Sequence, residues 1–297
     1  MIREATVIRA SRRNASLLTD EHLEFQARNG SKLPEVVVGD RVICKEGEGQ
    51  KWIISEIKPR QHTLHRSYRE KTKVIAANLD HLFLITAVGP LFNTAFIDRV
   101  LLAAAVQEIP VTLVINKTDQ GSEPAVSAYE KLGVNLLFTS VKQKQGIEQI
   151  RAALENPRLR LAALAGVSGV GKSSLLNHLV PEAAQATAEV SERTGQGKQT
   201  TSMAIAYIYK REHAADVLLV DLPGIQNFGV SGLEPEVVRS GFLEIAEYGL
   251  KCQFSNCGHI REDKCAVKEA VATGAISESR YVSYSDIIQE IERSRPF

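Results

Sequence analysis

Long apolar runs are missing from this chain. No stretch reads as long enough to span a membrane, and Met1-Ile2-Arg3-Glu4 does not lead into the apolar core of a signal peptide. A helical membrane protein and a secreted one are both disfavoured, so the expected location is the cytoplasm. Cysteine is scarce as well: four in 297 residues are too few for a disulfide framework, and three of them fall between Cys252 and Cys265. That clustering favours a metal. A large charge excess is also absent, the net being only +1.

What is present is a globular composition, 44% hydrophobic and 24% charged, in a chain long enough for two or three domains. The charge is unevenly placed. Residues 1–73 hold 15 basic and 10 acidic side chains, residues 74–250 hold 14 and 18, and residues 251–297 hold 7 of each. A basic front end points to a polyanionic partner. From Lys58 to Lys73 six basic residues stand against Glu70 alone. This segment reads either as an interdomain connector that grips RNA phosphates or as a solvated linker.

Before it, short β-type runs occur at residues 5–8, 23–27, 35–38, 41–44 and 51–54, separated by turn signals at Asn29-Gly30, Gly39-Asp40 and Gly47-Glu48-Gly49. They predict a small five-stranded barrel of OB type over residues 1–65, either an RNA-binding module or a packing module. Cys44, in mid-strand, is expected to be a core residue.

Residues 166–173, Gly166-Val167-Ser168-Gly169-Val170-Gly171-Lys172-Ser173, have the spacing G-x-x-x-x-G-K-S. The apolar run 161–165 precedes them and Ser174-Leu175-Leu176 follows, so a strand delivers the backbone into a turn and a helix begins there. Successive N–H groups then face a polyphosphate. Upstream, the buried-strand pattern 111–115 ends in Asn116-Lys117-Thr118-Asp119. An Asp carboxylate there accepts from both N1–H and the 2-amino group of guanine, whereas adenine offers neither donor. Ser140-Val141 occupy the place of the loop that closes over the base. Downstream, Thr201 lies in a segment without periodicity, and the strand 217–220 delivers Asp221-Leu222-Pro223-Gly224. The Thr hydroxyl and the Asp suit the Mg²⁺ shell, and the Gly224 N–H suits a γ-phosphate. Helices are expected over 96–108, 124–132, 147–154, 234–250, 266–273 and 284–293.

The order of these motifs is unusual. Small GTPases run phosphate loop, switch Thr, D-x-x-G, N-K-x-D; here N-K-T-D comes first, and the phosphate loop follows it. With a barrel in front and a Cys/His cluster behind, the chain resembles the circularly permuted GTPases of small ribosomal subunit biogenesis, the RsgA/YjeQ family. The resemblance extends to Val38-Gly39-Asp40-Arg41-Val42, Ile97-Asp98-Arg99 and Arg280-Tyr281. It implies a multidomain α/β fold: an OB-type barrel, a permuted P-loop GTPase domain over 74–230 and a helical zinc-binding domain over 231–297.

It also implies GTP/GDP and Mg²⁺ as ligands. Asn116, Lys117 and Asp119 would hold guanine, Lys172 the β- and γ-phosphates, and Ser173 and Thr201 the Mg²⁺, with Asp221 supporting it through water. Two positions depart from expectation. Ile225 stands where Ras-like proteins keep a water-orienting Gln, and Gln199 stands where the family usually has a His. Gln199 is therefore the candidate for orienting water, beside Lys172 and Thr201. Cys252-x4-Cys257-x-His259-x5-Cys265 suits one structural Zn²⁺. Small ribosomal subunits with their rRNA are the expected partner, no membrane is involved, and a monomer is expected. Two other readings stay open: a guanine-nucleotide-regulated RNA-binding scaffold with negligible turnover, and a P-loop kinase or ATPase.

Overall fold

The computed structural model describes residues 1–68, 71–184, 203–212, 214–222, 228, 230 and 232–294. Strands β1 (Ile2–Ala10), β2 (Asn14–Leu18), β3 (Glu24–Asn29), β4 (Arg41–Glu46) and β5 (Trp52–Ile57) form a barrel. Their order is β1-β2-β3-β5-β4 with β4 closing on β1, and β3 lies parallel to β5 while the other pairs are antiparallel. This is the OB topology. Alternating residues fill the interior, among them Ala5, Val7, Leu17, Ala27, Val42 and Ile54. Cys44 lies in this core, and burial pushes its thiol up to about 11.

One expected strand is displaced. Of residues 35–38, Val36, Val37 and Val38 are buried and Glu35 is exposed, and the stretch makes only an isolated bridge from Val38 to Ala76. The chain turns there, because the Val37 N–H donates to the Asp40 side chain at 2.9 Å. The fifth strand is instead Asn14–Leu18, whose sequence carries no strong β pattern and whose conformation is imposed by pairing with β1.

The basic segment is not a loose connector. Lys58 bonds Glu4 at 2.6 Å, Lys73 bonds Glu35 at 2.6 Å, and Arg60 holds the fully buried Asp40 through two bonds of 2.7 and 2.9 Å. From Thr63 the chain forms a hairpin, β6 (Thr63–Tyr68) and β7 (Lys71–Ala77), rather than a linker.

The remaining strands are β8 (His81–Ala87), β9 (Val111–Asn116), β10 (Asn135–Phe138), β11 (Leu161–Ala165), β12 (Ile205–Tyr209) and β13 (Val217–Asp221). They order as β10-β9-β8-β11-β13-β12, parallel except for β12. One face is covered by α1 (Thr94–Val106) and α2 (Ser127–Lys131) through Phe96, Ile97, Val100 and Tyr129. The other is covered by α3 (Ile147–Leu154) and α4 (Lys172–Leu179) through Ile147, Ile150, Leu175 and Leu176. Burial on both faces explains why these strands read as unbroken apolar runs. β12 continues into the barrel through the pair Ile205 to Arg9 of β1.

Contrary to the reading that no stretch reaches the length of a membrane span, Gly89–Val106 is long and apolar enough for one over 18 residues. The continuous helix within it is only the 13 residues of α1, about 20 Å long, which is short of a bilayer core. It also carries Asp98 and Arg99 and lies against the sheet.

The C-terminal part consists of α5 (Pro235–Gly241), α6 (Leu243–Gly249), α7 (Ala266–Ala272) and α8 (Glu278–Ser294). The single helix expected over 234–250 is broken at Phe242, where φ is −100° and ψ 87°, and whose buried ring meets Tyr284 edge-on at 5.6 Å. A buried charge network locks this part onto α1. Arg280 donates to Asp98 at 2.8 Å and to both oxygens of Glu244 at 2.7 and 3.1 Å, and it lies 4.4 Å from the Phe242 ring. Tyr129 donates to the same Asp98 oxygen at 2.9 Å. Burial raises the pKa of Asp98, and the Arg280 charge beside it is the largest influence opposing that rise.

Replacing Arg280 by Met should therefore cost about 3–5 kcal/mol in denaturant unfolding of the full chain, because a buried carboxylate loses its counter-charge. The penalty should shrink as the pH is lowered towards the carboxylate range, since Asp98 then takes up a proton, and grow as it is raised. Lysine should not restore the loss, because it lacks the planar fork that grips Glu244.

Candidate guanine-nucleotide site and metal centre

All five residues of β11 are buried between β8 and β13, so the strand leads residue 166 to the C-terminal edge of the sheet. A side chain on Gly166 would put its Cβ 2.4 Å from the Ile85 carbonyl oxygen. At Gly171, φ is +96° and a Cβ would lie 2.3 Å from the Asn116 amide nitrogen. The loop thus needs glycine at both places to approach its neighbours. Val170 is buried in the core, Val167 is half-buried, and Ser168 and Gly169 are exposed. α4 begins at Lys172, with Ser173 and Ser174 exposed in its first turn.

Lys172 Nζ forms an ion pair with the Asp221 carboxylate at the end of β13, with both side chains 10% exposed.

The residues of the N-K-x-D turn are held as tightly. Asn116 ends β9, and its amide donates to the Val170 carbonyl at 2.8 Å while its side-chain oxygen accepts from Thr139 Oγ1 at 3.1 Å. Its hydrogen bonds thus go to the phosphate loop and to Thr139, so in this arrangement Asn116 is a positioning residue. Lys117 adopts a left-handed conformation, φ 61°. Asp119 Oδ1 accepts from Ser140 Oγ at 2.6 Å, and Ser140 exchanges two backbone bonds of 3.0 Å with Gln145. Val141 is half-buried beside it. The Asp119–Ser140 bond leaves Asp119 Oδ2 without a partner among the described residues. Thr201, Gln199 and Gly224, together with Ile225, lie outside the described residues.

Two supporting residues were not anticipated. Thr139 is fully buried and also accepts at its carbonyl from the Thr118 N–H, 3.1 Å, and hydroxyl, 3.0 Å. Its place just before Ser140 is the only sequence signal for it. Arg211, 8% exposed, donates to the carbonyls of Leu154, Asn156, Leu159 and Ala215 at 3.3, 2.6, 3.1 and 2.5 Å. It clamps the connection from α3 into β11, and contacts of this kind, made to carbonyls, leave no motif.

In the helical part, one ligand atom each from Cys252, Cys257, His259 and Cys265 lies within 4.8 Å of the others. Cys252 Sγ is 3.8 Å from Cys265 Sγ, and His259 Nδ1 is 3.6 and 3.4 Å from those two sulfurs. Zn–S bonds of about 2.3 Å and Zn–N bonds of about 2.0 Å set tetrahedral edges of roughly 3.8 and 3.5 Å, so the residues fit that ion. Glu262 shapes the loop by accepting from the N–H groups of Gly258, Ile260 and Arg261 at 2.7, 3.1 and 3.1 Å. Burial opposes the Glu262 charge, but these three bonds outweigh it and lower the pKa. Tyr281 and Tyr284 donate to the carbonyls of His259 and Gly258 at 2.8 and 3.0 Å, tying the loop to α8.

A phosphate loop and an N-K-x-D strand end, bonded through Asn116 on one parallel sheet with the base-reading half first in the chain, define a circularly permuted P-loop GTPase. The chain belongs to the RsgA GTPase family, whose model matches residues 57–231. It is similar to the small ribosomal subunit biogenesis GTPase RsgA of Paraburkholderia phytofirmans, 36% identical over 268 residues that cover 87% of this chain and 84% of the relative. It is likewise similar to the small ribosomal subunit biogenesis GTPase RsgA 1 of Vibrio vulnificus, 34% identical over 275 residues, 89% of this chain and 76% of the relative. Among solved structures, YjeQ from Thermotoga maritima matches with a TM-score of 0.72 at 28% identity, covering 99% of this chain and 100% of that one. YloQ, described as a circularly permuted GTPase, gives 0.69 at 25%, covering 100% and 97%. Family membership sets aside the kinase or ATPase reading.

If Asp119 reads guanine, Asp119→Asn should weaken GTP binding by roughly 10²-fold, about the cost of losing a charged hydrogen-bond pair. Xanthosine triphosphate should then be preferred, because its 2-oxo group accepts from the new amide. Competition against a fluorescent nucleotide measures both, and unchanged GTP affinity would remove Asp119 from the base site.

Proposed function

We propose that this chain hydrolyses GTP to GDP and phosphate during late maturation of the small ribosomal subunit, and that the subunit stimulates it. The Asn116–Val170 bond supports the nucleotide half, because it ties the strand end that carries Asp119 to the G-x-x-x-x-G-K-S loop. The subunit half comes from the names of the relatives. In this reading Lys117 and Asp119 hold the base, Ser140 and Val141 close over it, and the N–H groups of residues 166–174 take the phosphates. Asn116 positions the two halves. Ser173, Thr201 and Asp221 would hold Mg²⁺, which neutralises charge between the β- and γ-phosphates.

When GTP enters, Lys172 leaves Asp221 for the phosphates. The N–H of Gly224 meets the γ-phosphate, and Gln199 orients the attacking water in place of the family's usual His. The four residues Cys252, Cys257, His259 and Cys265 would hold one structural Zn²⁺ with no open position. The barrel would contact rRNA, with the basic excess of the front end supplied by residues 58–73 beside it, since residues 1–57 carry 9 basic and 9 acidic side chains. We place the protein in the cytoplasm, as a monomer, with domains over 1–65, 74–230 and 231–297.

Phosphate release from GTP, measured with and without isolated small ribosomal subunits, tests this directly. Stimulation of about 10²-fold or more is expected, the range in which ordering a catalytic group acts, and Gln199→Ala should abolish most of it. GTP binding without stimulation would favour the nucleotide-regulated scaffold. For the metal, elemental analysis should find one zinc per chain. Cys257→Ser should lose the zinc and lower the unfolding midpoint, and an unchanged zinc content in that variant would overturn the assignment.

A further inference from the structure

The G-x-x-x-x-G-K-S loop is held close to the sheet at Gly166, beside the Ile85 carbonyl, and at Val170, whose carbonyl accepts from Asn116. Ser168 and Gly169 between them are exposed. The contact that reaches this outer arm comes from Leu91, the last residue of the short turn Gly89–Leu91 that follows β8. A Cβ on Gly169 would lie 3.7 and 4.0 Å from the two Leu91 methyl carbons, and, Ser168 and Val170 apart, no other described residue comes within 4 Å of that point. Leu91 is half-buried and packs on the same core as Val167 and Val170.

The turn is itself fixed from several sides. Thr86, 2% exposed in β8, donates its hydroxyl to the Leu91 carbonyl at 3.1 Å. The Val88 N–H donates to the Asn116 carbonyl at 3.2 Å, and the Gly89 N–H donates to the Glu123 carboxylate at 3.1 Å. Beyond the turn, the Phe92 ring meets that of buried Tyr129 at 6.1 Å, and Asn93 caps α1 by accepting from the Phe96 N–H at 3.0 Å.

We infer that Leu91 is a positioning residue of the nucleotide site: held in place by Thr86, it braces the outer arm of the loop at Gly169 in the shape that receives phosphates. This rests on the reading of residues 166–174 as the loop that takes the phosphates. Gly169 and Gly171 have φ of +88° and +96°, and a segment with two glycines has wide freedom unless something outside it limits that freedom. Whatever order the loop lacks before the nucleotide arrives is subtracted from the affinity when it binds. An apolar brace suits this position, because it fixes the backbone through van der Waals contact and brings no polar group to compete with a phosphate for the loop N–H groups. Leu91 touches the loop and not the N-K-x-D turn, so its loss should weaken nucleotides that share the same phosphates alike, whatever base they carry.

Competition of GDP and inosine diphosphate against a fluorescent nucleotide, on the full chain with Mg²⁺, tests the brace. Leu91→Ala should weaken both by the same factor, about three- to ten-fold, the effect of leaving one loop contact to be ordered on binding. Hydrogen exchange without nucleotide should rise at the amides of residues 167–171 and stay unchanged at 117–119. Thr86→Val should act in the same direction, whereas Thr86→Ser keeps the hydroxyl and should bind as the parent does. Unchanged GDP affinity in Leu91→Ala would overturn the brace and leave the reading of the loop standing. A changed ratio of GDP to inosine diphosphate affinity would place the effect at the base and overturn it as well. Equal weakening in Thr86→Ser and Thr86→Val would overturn the part given to the Thr86 hydroxyl. Failure of the parent chain to bind either nucleotide would overturn the site and the brace together.

Discussion

The bond from the Asn116 amide to the Val170 carbonyl is the constraint on which the nucleotide site depends. Val170 is fixed by burial in the core beneath α4, and Asn116 is fixed by the end of β9 and by Thr139. One side chain therefore sets the distance between the G-x-x-x-x-G-K-S loop and the N-K-x-D strand end. The close approach has a structural consequence at Gly171, where any Cβ would collide with that same amide. A G-x-x-x-x-G-K-S loop and an N-K-x-D turn are usually treated as separate signatures; here the second glycine of one is explained by the asparagine of the other.

That contact also shows why permutation leaves the site intact. The geometry needs β9, β8, β11 and β13 side by side and parallel, and it is indifferent to which of them comes first. What changes is the location of the chain ends. β8 now opens the domain, directly after the hairpin, and the segment after β13 leads straight into the helical part. The barrel and the Cys/His cluster thereby flank the nucleotide core instead of trailing it, and the barrel is joined to it covalently through the hairpin and also by contacts such as the Ile205–Arg9 pair.

Local chemistry was legible in the sequence where function needs several residue types at fixed spacing. The phosphate loop, Asn116 to Asp119 and the Cys/His cluster all have that character, and the buried strands of the central sheet announced themselves as apolar runs. Residues whose role is set by distant partners were not legible. Asn14–Leu18 became a strand because β1 offered a paired edge, while the more β-like Val36–Val38 was diverted into a turn by Asp40. Arg211 acts on backbone carbonyls, the Thr139 hydroxyl donates to the Asn116 side chain, and Arg60 spends its charge on buried Asp40. Counting charges along residues 58–73 therefore overstated what remains free for a polyanion.

The network around Arg280 gives the same lesson in the opposite direction. Asp98 and Arg280 stand 182 positions apart, and nothing in their immediate surroundings links them. Their pairing explains why Ile97-Asp98-Arg99 and Arg280-Tyr281 both belong to the pattern by which the chain resembles its family. Asp98 seats α1 against α8, and Tyr281, next to Arg280, holds the carbonyl of His259 in the Cys/His cluster. The metal loop, α8 and the helix that covers the nucleotide sheet are thus one continuous set of buried contacts. A charged network is a costly way to join two hydrophobic surfaces, since an apolar substitute of similar volume would serve stability as well or better. What it supplies is orientation: three bonds from one planar guanidinium to Asp98 and Glu244 define a single relative placement of the helical part and the nucleotide core, which an apolar contact alone leaves free to slide.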